Sequence, residues 1–453
     1  MIGTLSLSAL QAVIPATLHG ADAEFSRVSI DTRTLQSGDL YVALRGTNLD
    51  GNAFVDQAFA KGACAAVVSS SSAVHAPCLL VEDTNAALAE LALLNRQRSS
   101  ARVVAITGSQ GKTSVKEMIG RILSVSRRTL VTRGNLNNHI GAPLTLLELD
   151  ATHERAVIEL GASGLGEIAW TVRLARPDVA VLTNAAATHL EGFGSLDGVV
   201  QTKGEIIDGL RADGIAVLNA DDPHFAVWQA RAGKRRVLRF SLRDATSDYH
   251  ASTIQTDGRE GTHFTLHTPA GDCRIALHLL GLHNVANALA ASAAAMAAGA
   301  TLADVRTGLA LVRPVAGRLC LTEAASGAAL VDDTYNASPS SFRAAIDVLA
   351  GFPGRRIVIM GDMGELGSDA ESGHRFVGDY ARSCGIDALW ATGPLSRHAV
   401  GGFGAGALHF ASIDGLIAHA LGNTNAQCSV LVKGSRSAGM ERAVEKLIAG
   451  DTP

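Results

Sequence analysis

The chain has 453 residues, a length that predicts about three domains and excludes a single small binding module. Apolar residues make up 47% of the chain and charged residues 18%, which excludes an intrinsically disordered protein. With 39 basic and 43 acidic side chains the formal charge is −4, so no basic field exists for wrapping nucleic acid, and no nucleic-acid partner is expected.

The six cysteines are scattered, without a C-x-x-C pair and without a cluster of histidines beside them. This pattern predicts neither a zinc site nor a disulfide framework and favours a reducing cytoplasmic location. The N-terminal segment lacks the basic start and the continuous apolar run of a signal peptide, and no stretch reaches the roughly 18 uninterrupted apolar residues of a membrane span. We expect a cytoplasmic protein without integral membrane contact, and we expect a monomer.

Residues 1–85 are predicted to form a small α/β domain. Short apolar strands over residues 28–30, 39–44 and 65–68 are separated by turns that contain glycine. A helix predicted over residues 85–96 leads through a polar stretch into the next strand. We therefore place the first domain boundary at residue 85.

Residues 86–313 are predicted to form a central doubly wound α/β domain. Four largely apolar strands, of the kind that parallel sheets bury on both faces, alternate here with helices, over residues 103–106, 157–160, 179–183 and 215–219. The alanine-rich segment over residues 286–300 predicts a closely packed helix.

Residues 314–453 are predicted to form a third, Rossmann-like α/β domain. The sequence VRPVAG over residues 312–317 interrupts the helical pattern and marks the second boundary. Four more strands with helices between them are predicted over residues 330–333, 357–361, 388–392 and 430–433. The fold class is therefore a three-domain α/β protein.

The strongest local motif is a phosphate-binding loop, TGSQGKT, between the strand over residues 103–106 and a helix. Glycines let backbone N–H groups approach phosphate oxygens, and the helix N-terminus favours the anion. Lys112 is the candidate for neutralising the β- and γ-phosphates, and the Thr113 hydroxyl is the candidate Mg²⁺ ligand. The full Walker spacing is broken because Ile106 stands where the first glycine would be. The alternative is a plain strand-to-helix turn with an exposed lysine.

Two further strand ends carry side chains suited to a metal. Glu159 lies in an otherwise apolar strand, where a carboxylate is costly unless it is paired or bound to a cation. His189 and Glu191 follow the strand over residues 179–183 in a glycine-rich loop. Parallel strands end at one edge of a sheet, where ligands bind, so these groups are expected near the phosphate loop.

Several segments together resemble the Mur ligase family of ATP-dependent amide ligases. The segments are TGSQGKT from Thr107, IELGASGLGEI from Ile158, NAAATHLEGFGS from Asn184, GLHNVANALAA from Gly281, AGR from Ala316, DDTYNASP from Asp332 and VLVKGSRSAGME from Val430. They occur in order along the chain. SIDTRTLQSGDLYVALRGTNLDG, from Ser29, is similar to the uridine-nucleotide domain of the family.

Within the family, HLEGFGS, DDTYNASP, MGDMGELG and KGSRSAGME are most similar to ligases that add D-alanyl-D-alanine. The resemblance implies that the carboxylate of a UDP-linked muramoyl tripeptide attacks the γ-phosphate of ATP to give an acyl phosphate. The amine of D-alanyl-D-alanine then displaces phosphate, giving the pentapeptide, ADP and phosphate. Mg²⁺ is the implied cofactor, and peptidoglycan precursor synthesis is the implied process.

The resemblance also implies roles for individual residues. The implied ATP contacts are Gly108, Ser109, Gln110, Gly111, Lys112, Thr113, Ser114, His283, Asn284, Asn287, Arg318 and Asp333. The implied metal ligands are Thr113, Glu159 and His189, and the implied catalytic residues are Lys112, Glu159, His189 and Lys203. The implied contacts to the UDP-linked substrate are Thr32, Arg33, Thr47, Asn48, Asn137 and Asn138, and those to the amino substrate are Tyr335, Asn336, Lys433, Ser435 and Arg436.

Lys203 matches a position that is carbamylated in several relatives. An ammonium group beside Mg²⁺ would be repelled, whereas the CO₂ adduct is an anion that can support a metal. The alternative is a solvated lysine on the helix QTKGEIIDGL. One departure from the family is Asn52, where related chains commonly have His after the Asp-Gly pair.

Three other functions fit the sequence less well. A Mur ligase that adds a diamino acid usually has a DNPR-type motif, which this sequence lacks. Folate polyglutamylation ligases generally begin near the phosphate loop, whereas about 100 residues precede it here. A nucleotide-dependent switch or scaffold would leave Glu159, His189 and Lys203 without a common purpose. The D-alanyl-D-alanine-adding reaction is therefore the predicted function.

Overall fold

The computed structural model describes residues 1–187, 190–257 and 261–451. Three α/β units follow one another along the chain, each built on its own main sheet, so the predicted fold class is confirmed.

The first unit is a small α/β layer. Its elements are β1 (Leu5–Ser6), α1 (Leu7–Gln11), β2 (Ala16–His19), β3 (Glu24–Phe25), β4 (Val28–Ser29), β5 (Leu40–Val42), α2 (Val55–Ala60), β6 (Ala65–Val68), β7 (Cys78–Val81) and α3 (Thr84–Arg98). Its five-stranded sheet has the order β2-β7-β6-β5-β4, with β2 antiparallel to β7 and the other pairs parallel. β2 and β7 were not predicted, and β5 is shorter than predicted.

The central unit carries a nine-stranded sheet. It contains β8 (Arg102–Thr107), α4 (Lys112–Leu123), β9 (Thr129–Val131), α5 (Gly141–Leu147), β10 (Arg155–Glu159), α6 (Glu167–Ala175), β11 (Val179–Leu182), α7 (Leu190–Phe193), α8 (Leu196–Asp208), β12 (Ile215–Asn219), α9 (Phe225–Ala232), β13 (Arg236–Ser241), β14 (Tyr249–Asp257), β15 (Gly261–Thr268), β16 (Gly271–Leu277), α10 (Leu282–Ala297) and α11 (Leu302–Ala310). The strand order is β16-β15-β14-β13-β12-β11-β8-β10-β9, parallel from β9 to β14.

This order places β8 between β10 and β11, so the three strand ends that were predicted to bear polar groups are neighbours in space. The antiparallel strands β14–β16 extend the sheet and were not predicted. The alanine-rich segment forms α10, whose alanines are mostly buried. Its small side chains allow close helix packing, as predicted.

The third unit has a six-stranded sheet of order β17-β18-β22-β19-β20-β21, parallel except for the β17–β18 pair. It contains β17 (Cys320–Glu323), β18 (Ala329–Asp333), α12 (Pro339–Ala350), β19 (Arg355–Met360), α13 (Ala370–Ser383), β20 (Ala388–Thr392), α14 (Arg397–Phe403), β21 (Ala407–Phe410), α15 (Ile413–Asn423), β22 (Cys428–Lys433) and α16 (Glu441–Ala449). β17 and β21 lie at the sheet edges and were not predicted.

The first two units share one apolar core. Leu88 and Leu91 of α3 belong to the same buried cluster as Leu40 of the first sheet and Leu146 of α5. Because α3 packs against both units, the domain boundary at residue 85, like that at residue 313, stays a prediction. In the part of the chain that is described, every helix is too short or too polar to cross a membrane.

Candidate active site

A cavity of about 550 Å³ lies at the carboxyl edge of the central sheet and faces the third unit. Its walls combine residues of both units. The predicted site residues that line it are Ser109, Gln110, Gly111, Lys112, Thr113, Ser114, Asn137, Asn138, Glu159, His283, Asn284, Asn287, Arg318, Asp333, Tyr335, Asn336 and Lys433.

The phosphate loop joins β8 to α4 at the floor of this cavity. Gly108 and Gly111 have φ angles of +144° and +79°, which favour glycine. A Cβ atom at Gly108 would lie 2.0 Å from Oγ1 of Thr183, and one at Gly111 would lie 2.5 Å from Oδ1 of Asn287. The loop therefore needs both glycines, and it presents the unpaired N–H groups of the first turn of α4 to the cavity.

Lys112 is held across the loop rather than extended into solvent. Its Nζ donates hydrogen bonds to the carbonyl oxygens of Gly108 at 2.6 Å and Ser109 at 3.3 Å. Burial lowers the pKa of Lys112, an effect that the nearby Glu159 carboxylate opposes. The alternative of a plain turn with an exposed lysine does not fit this arrangement.

Glu159 ends β10 beside the loop, with 1% of its surface exposed. Its Oε1 accepts a hydrogen bond from Nδ2 of Asn137 at 2.7 Å and a longer one from Oγ1 of Thr113 at 3.4 Å. Its Oε2 is buried and has no hydrogen-bond partner among the described residues. A buried carboxylate oxygen without a donor is costly, so the site suits a cation.

Arg318 lines the same cavity from the third unit. Its Nη2 donates to Oγ1 of Thr113 at 3.1 Å, which links the third unit to the phosphate loop. Its guanidinium carbon lies 4.1 Å from the centre of the Tyr335 ring. The Nε–H is buried and finds no acceptor in the described part of the chain. A cation bound to a phosphate would satisfy both groups, because the cation would meet the Glu159 oxygen and the phosphate would accept from the Arg318 Nε–H.

Mg²⁺ usually binds through one or two carboxylates together with phosphate oxygens and water. Glu159 and the Thr113 hydroxyl match that requirement. Within the described ranges, no group of three or more His, Cys, Asp or Glu side chains could hold a metal ion by itself. His189, the third predicted ligand, lies outside the described residues.

A second contact between the units starts at the phosphate loop. Nε2 of Gln110 donates to Oγ of Ser338 at 3.1 Å and to Oγ of Ser340 at 2.6 Å. Ser338 also caps the N-terminus of α12. The nucleotide loop is therefore in direct contact with the third unit.

Lys203 is buried on α8, with 1% of its surface exposed, and does not line the cavity. Its Nζ donates to the carbonyl oxygen of Ala162 at 3.2 Å and lies 4.9 Å from the centre of the Phe193 ring. Burial, and then the positive charge of Lys112, lower the pKa of Lys203 to about 7. The alternative of a solvated helix lysine is wrong.

Lys433, which is buried, pairs with the partly buried Asp333 in the third unit, with Nζ 2.6 Å from Oδ2. Nζ of Lys433 also donates to the carbonyl oxygen of Asn336 at 2.8 Å. Burial raises the pKa of Asp333 although Lys433 opposes the shift. Burial, helped by Lys433, lowers the pKa of His283 to about 4, so this histidine is neutral at pH 7.

Asn284 and Asn287 lie one turn apart on α10. Nδ2 of Asn284 donates to the carbonyl oxygen of Leu280 at 2.8 Å, and Nδ2 of Asn287 donates to Oδ1 of Asn284 at 3.1 Å. This chain of hydrogen bonds fixes both amides at the cavity wall.

Other predicted residues lie away from the cavity wall. Ser435 is buried behind it and donates from Oγ to the carbonyl oxygen of Asp362 at 2.8 Å, while Arg436 is exposed and lies 3.6 Å from Glu441. The residues of the first unit, Thr32, Arg33, Thr47 and Asn48, do not line the cavity either. Oγ1 of Thr32 donates to Gln57 at 2.8 Å, and Arg33 forms an ion pair with Asp31 at 2.7 Å.

Two asparagines at strand ends were missed by the sequence analysis. Oδ1 of Asn184 accepts a hydrogen bond from the N–H of Gln110 at 2.9 Å, and its carbonyl oxygen accepts from the N–H of Ser109 at 3.0 Å. Nδ2 of Asn219 donates to the carbonyl oxygen of Thr183 at 3.0 Å. Both line the cavity. The rule that polar residues at carboxyl strand ends face ligands could have found them.

Three family models match the chain in order. They are "Mur ligase family, catalytic domain" over residues 24–96, "Mur ligase middle domain" over residues 106–295 and "Mur ligase, glutamate ligase domain" over residues 317–436.

Named relatives and solved structures agree with these matches. A UDP-N-acetylmuramoyl-tripeptide--D-alanyl-D-alanine ligase of Escherichia coli (strain K12) is 48% identical over 446 residues, which cover 98% of each chain. A crystal structure of MurF from Acinetobacter baumannii matches with a TM-score of 0.91 at 34% identity, covering 99% of each chain. A MurF ligase from Thermotoga maritima in complex with ADP matches with a TM-score of 0.85 at 28% identity, covering 94% of this chain and 97% of that one. The chain belongs to the Mur ligase family.

Proposed function

We infer that this chain is an ATP-dependent ligase that joins D-alanyl-D-alanine to UDP-N-acetylmuramoyl-tripeptide in peptidoglycan precursor synthesis. The names of its relatives support this reaction rather than diamino-acid addition or folate polyglutamylation. The observation that carries the inference is the single cavity that brings together a phosphate loop, the unpaired carboxylate oxygen of Glu159 and the third-unit residues Arg318 and Lys433.

The first step joins two anions, the tripeptide carboxylate and the γ-phosphate of ATP. The chain offsets their repulsion with the Lys112 ammonium and the Arg318 guanidinium, while the N-terminus of α4 holds the phosphates. When bound, Mg²⁺ would neutralise phosphate oxygens, and Thr113 and Glu159 would hold it. His189 stays a proposed further ligand.

The second step forms the amide. The amine nitrogen bonds to the acyl carbon, the bond from that carbon to the phosphate oxygen breaks, and the nitrogen loses a proton. We assign the positioning of D-alanyl-D-alanine to the third unit, to Tyr335, Asn336 and Lys433 on the cavity wall and to Ser435 and Arg436 beside it. Gly364 lines the cavity, and a Cβ atom on it would lie 3.8 Å from Oγ of Ser435, so this serine borders the proposed pocket.

The UDP-linked substrate would extend from the first unit to the cavity. We assign its nucleotide to Thr32, Arg33, Thr47 and Asn48, and its peptide end to Asn137 and Asn138, which line the cavity. Arg33→Ala is expected to raise KM for this substrate and to leave KM for ATP unchanged. An equal rise in both constants would contradict the assignment.

Lys203 is proposed to form a carbamate, since only a neutral amine reacts with CO₂ and a pKa of about 7 leaves about half of the buried amines neutral at pH 7. Its nitrogen bonds to the carbon of CO₂ and loses a proton, which leaves a negative group. Removing bicarbonate should lower activity, and acetate should partly restore Lys203→Ala. If Lys203→Ala is inactive, acetate does not restore it and the parent does not need bicarbonate, the lysine acts as a cation.

The reaction itself is tested by supplying ATP and Mg²⁺ with each substrate alone and with both together. Phosphate release should require both substrates, and mass spectrometry should find the pentapeptide product. Steady phosphate release with either substrate alone, without ligated product, would refute the proposed function.

A further inference from the structure

A second cavity, of about 480 Å³, lies at the amino edge of the central sheet. It forms where α3 ends, where β8 and β10 begin, and beside the segments that precede β11 and β12. The candidate active site lies at the other end of the same strands. β8 has six residues, so the two cavities are separated by roughly 20 Å.

Arginines dominate the charge of this second cavity. Arg96, Arg102, Arg155 and Arg211 line it, together with the carboxylates of Asp178 and Asp213. We call this set the arginine cavity. Positive side chains outnumber negative ones by two, although the chain as a whole is negatively charged.

Two of the guanidinium groups are fixed by bonds that leave their charge in place. Arg96 is buried, and its three guanidinium nitrogens donate to backbone carbonyl oxygens at 2.9, 3.1 and 3.2 Å. Nε of Arg155 donates to the carbonyl oxygen of Ala298 at 2.8 Å. Neutral carbonyls orient these groups in advance, and the positive charge stays available to an anion.

The two carboxylates offset part of this charge and leave an excess of two positive side chains. Asp178 accepts a hydrogen bond from the N–H of Val103 at 2.8 Å, and it forms ion pairs at 3.8 Å with Nη2 of Arg96 and with Nε of Arg211. Asp213, whose side chain is 83% exposed, lies 3.6 Å from Arg211. The Arg102 guanidinium forms no hydrogen bond or ion pair with any described residue.

The positive charges also affect one another. The pKa of Arg155 is lowered by burial, and the charges of Arg127 and Arg102 add to this, against Glu154 and Asp178. The pKa of Arg96 is lowered by burial, and the charges of Arg176 and Arg211 add to this, against Asp178. Arginine stays protonated at neutral pH, so a bound anion would relieve the repulsion that the two carboxylates leave.

We propose that the arginine cavity binds a small anion that carries two or more phosphate groups, at a site separate from the candidate active site. Guanidinium groups bind phosphate oxygens with two parallel hydrogen bonds, and a concave cavity of this volume suits a small molecule. Several guanidinium groups spread around the cavity match a chain of phosphates better than a single phosphate. A bound anion would connect the end of α3 to the starts of β8 and β10.

Inorganic tripolyphosphate is the probe, titrated calorimetrically into the full chain. Lys112→Ala serves as the background for every arm, because it weakens phosphate binding at the loop. Arg102→Ser and Arg211→Ser are the test variants, since both side chains are exposed and their loss should leave the fold intact. Arg128→Ser is the matched control, because Arg128 is an exposed arginine beside β9 at the same sheet edge but does not line the cavity.

We expect each test variant to raise the Kd for tripolyphosphate by about tenfold or more, and Arg128→Ser to change it by less than about twofold. Orthophosphate should bind more weakly than tripolyphosphate to the background protein. Unchanged affinity in both test variants, an equal loss in Arg128→Ser, or no binding in the background would overturn the site. The result does not depend on ligase activity, so it is separable from the proposed function.

Discussion

Replacing Lys203 by methionine should abolish ligation and at the same time stabilise the fold. The side chain is 1% exposed, and among the described residues its Nζ donates to one acceptor, the carbonyl oxygen of Ala162. Methionine has a similar length and carries no charge to bury. We expect the loss of activity because the variant has no amine that could become a carbamate.

The size of the stabilisation follows from the pKa of Lys203, which falls from 10.5 to about 7 on folding. At neutral pH the unfolded chain keeps this lysine charged, whereas the folded chain disfavours the charge, at a cost of roughly 4 kcal/mol at pH 7. Between pH 7 and pH 10.5 the unfolded state binds more protons, so this cost shrinks as the pH rises. The advantage of Lys203→Met should be largest below pH 7 and should approach zero near pH 10.5.

Urea unfolding in bicarbonate-free buffer across this pH range measures the effect, and phosphate release measures activity. Lys116→Met is the matched control, because Lys116 is also fully buried, but its Nζ donates to the carbonyl oxygens of Thr132 at 2.9 Å and Gly134 at 3.1 Å and pairs with Glu117 at 2.9 Å. Its loss should destabilise the fold by roughly 2 kcal/mol. If Lys203→Met unfolds at the same urea concentration as the parent at pH 6, or at a lower one, then burying the charged Lys203 amine does not destabilise the fold as expected.

Three further substitutions test the cavity. Gly108→Ala should raise KM for ATP, because the added Cβ would lie 2.0 Å from the Thr183 hydroxyl and the φ angle is +144°; unchanged ATP kinetics would contradict the loop geometry. Arg318→Ala removes a hydrogen bond between the units and should lower kcat/KM for ATP by about tenfold or more, measured by phosphate release, whereas a loss below twofold would contradict its role. Asp333→Asn leaves the buried Lys433 without its counter-ion and should destabilise the fold by roughly 3 kcal/mol in urea unfolding; a variant as stable as the parent would mean that the pair contributes little.

Local sequence was enough to predict the phosphate loop and its flanking elements. The apolar run before the loop forms β8, and the glycines, lysine and threonine follow in the order that a strand, turn and helix require. Backbone conformation decides this kind of motif, and glycine is the residue that adopts the positive φ angles at residues 108 and 111.

Strands at the sheet edges could not be predicted from the apolar pattern. β16, β17 and β21 lie at sheet edges and are only partly buried, so their sequences lack the continuous apolar run that marks the inner strands.

From the amino-acid sequence we could predict the three α/β units, the phosphate loop and the family resemblance, because each depends on residues that are close together in the chain or on a pattern along its whole length. How the functional groups come together is visible in the folded structure alone. Burial of the Lys203 amine, the unpaired oxygen of Glu159 and the reach of Arg318 to Thr113 depend on what other segments place around each side chain. The charge state of a buried group depends on its desolvation and on its neighbours in space, and a sequence does not contain those distances.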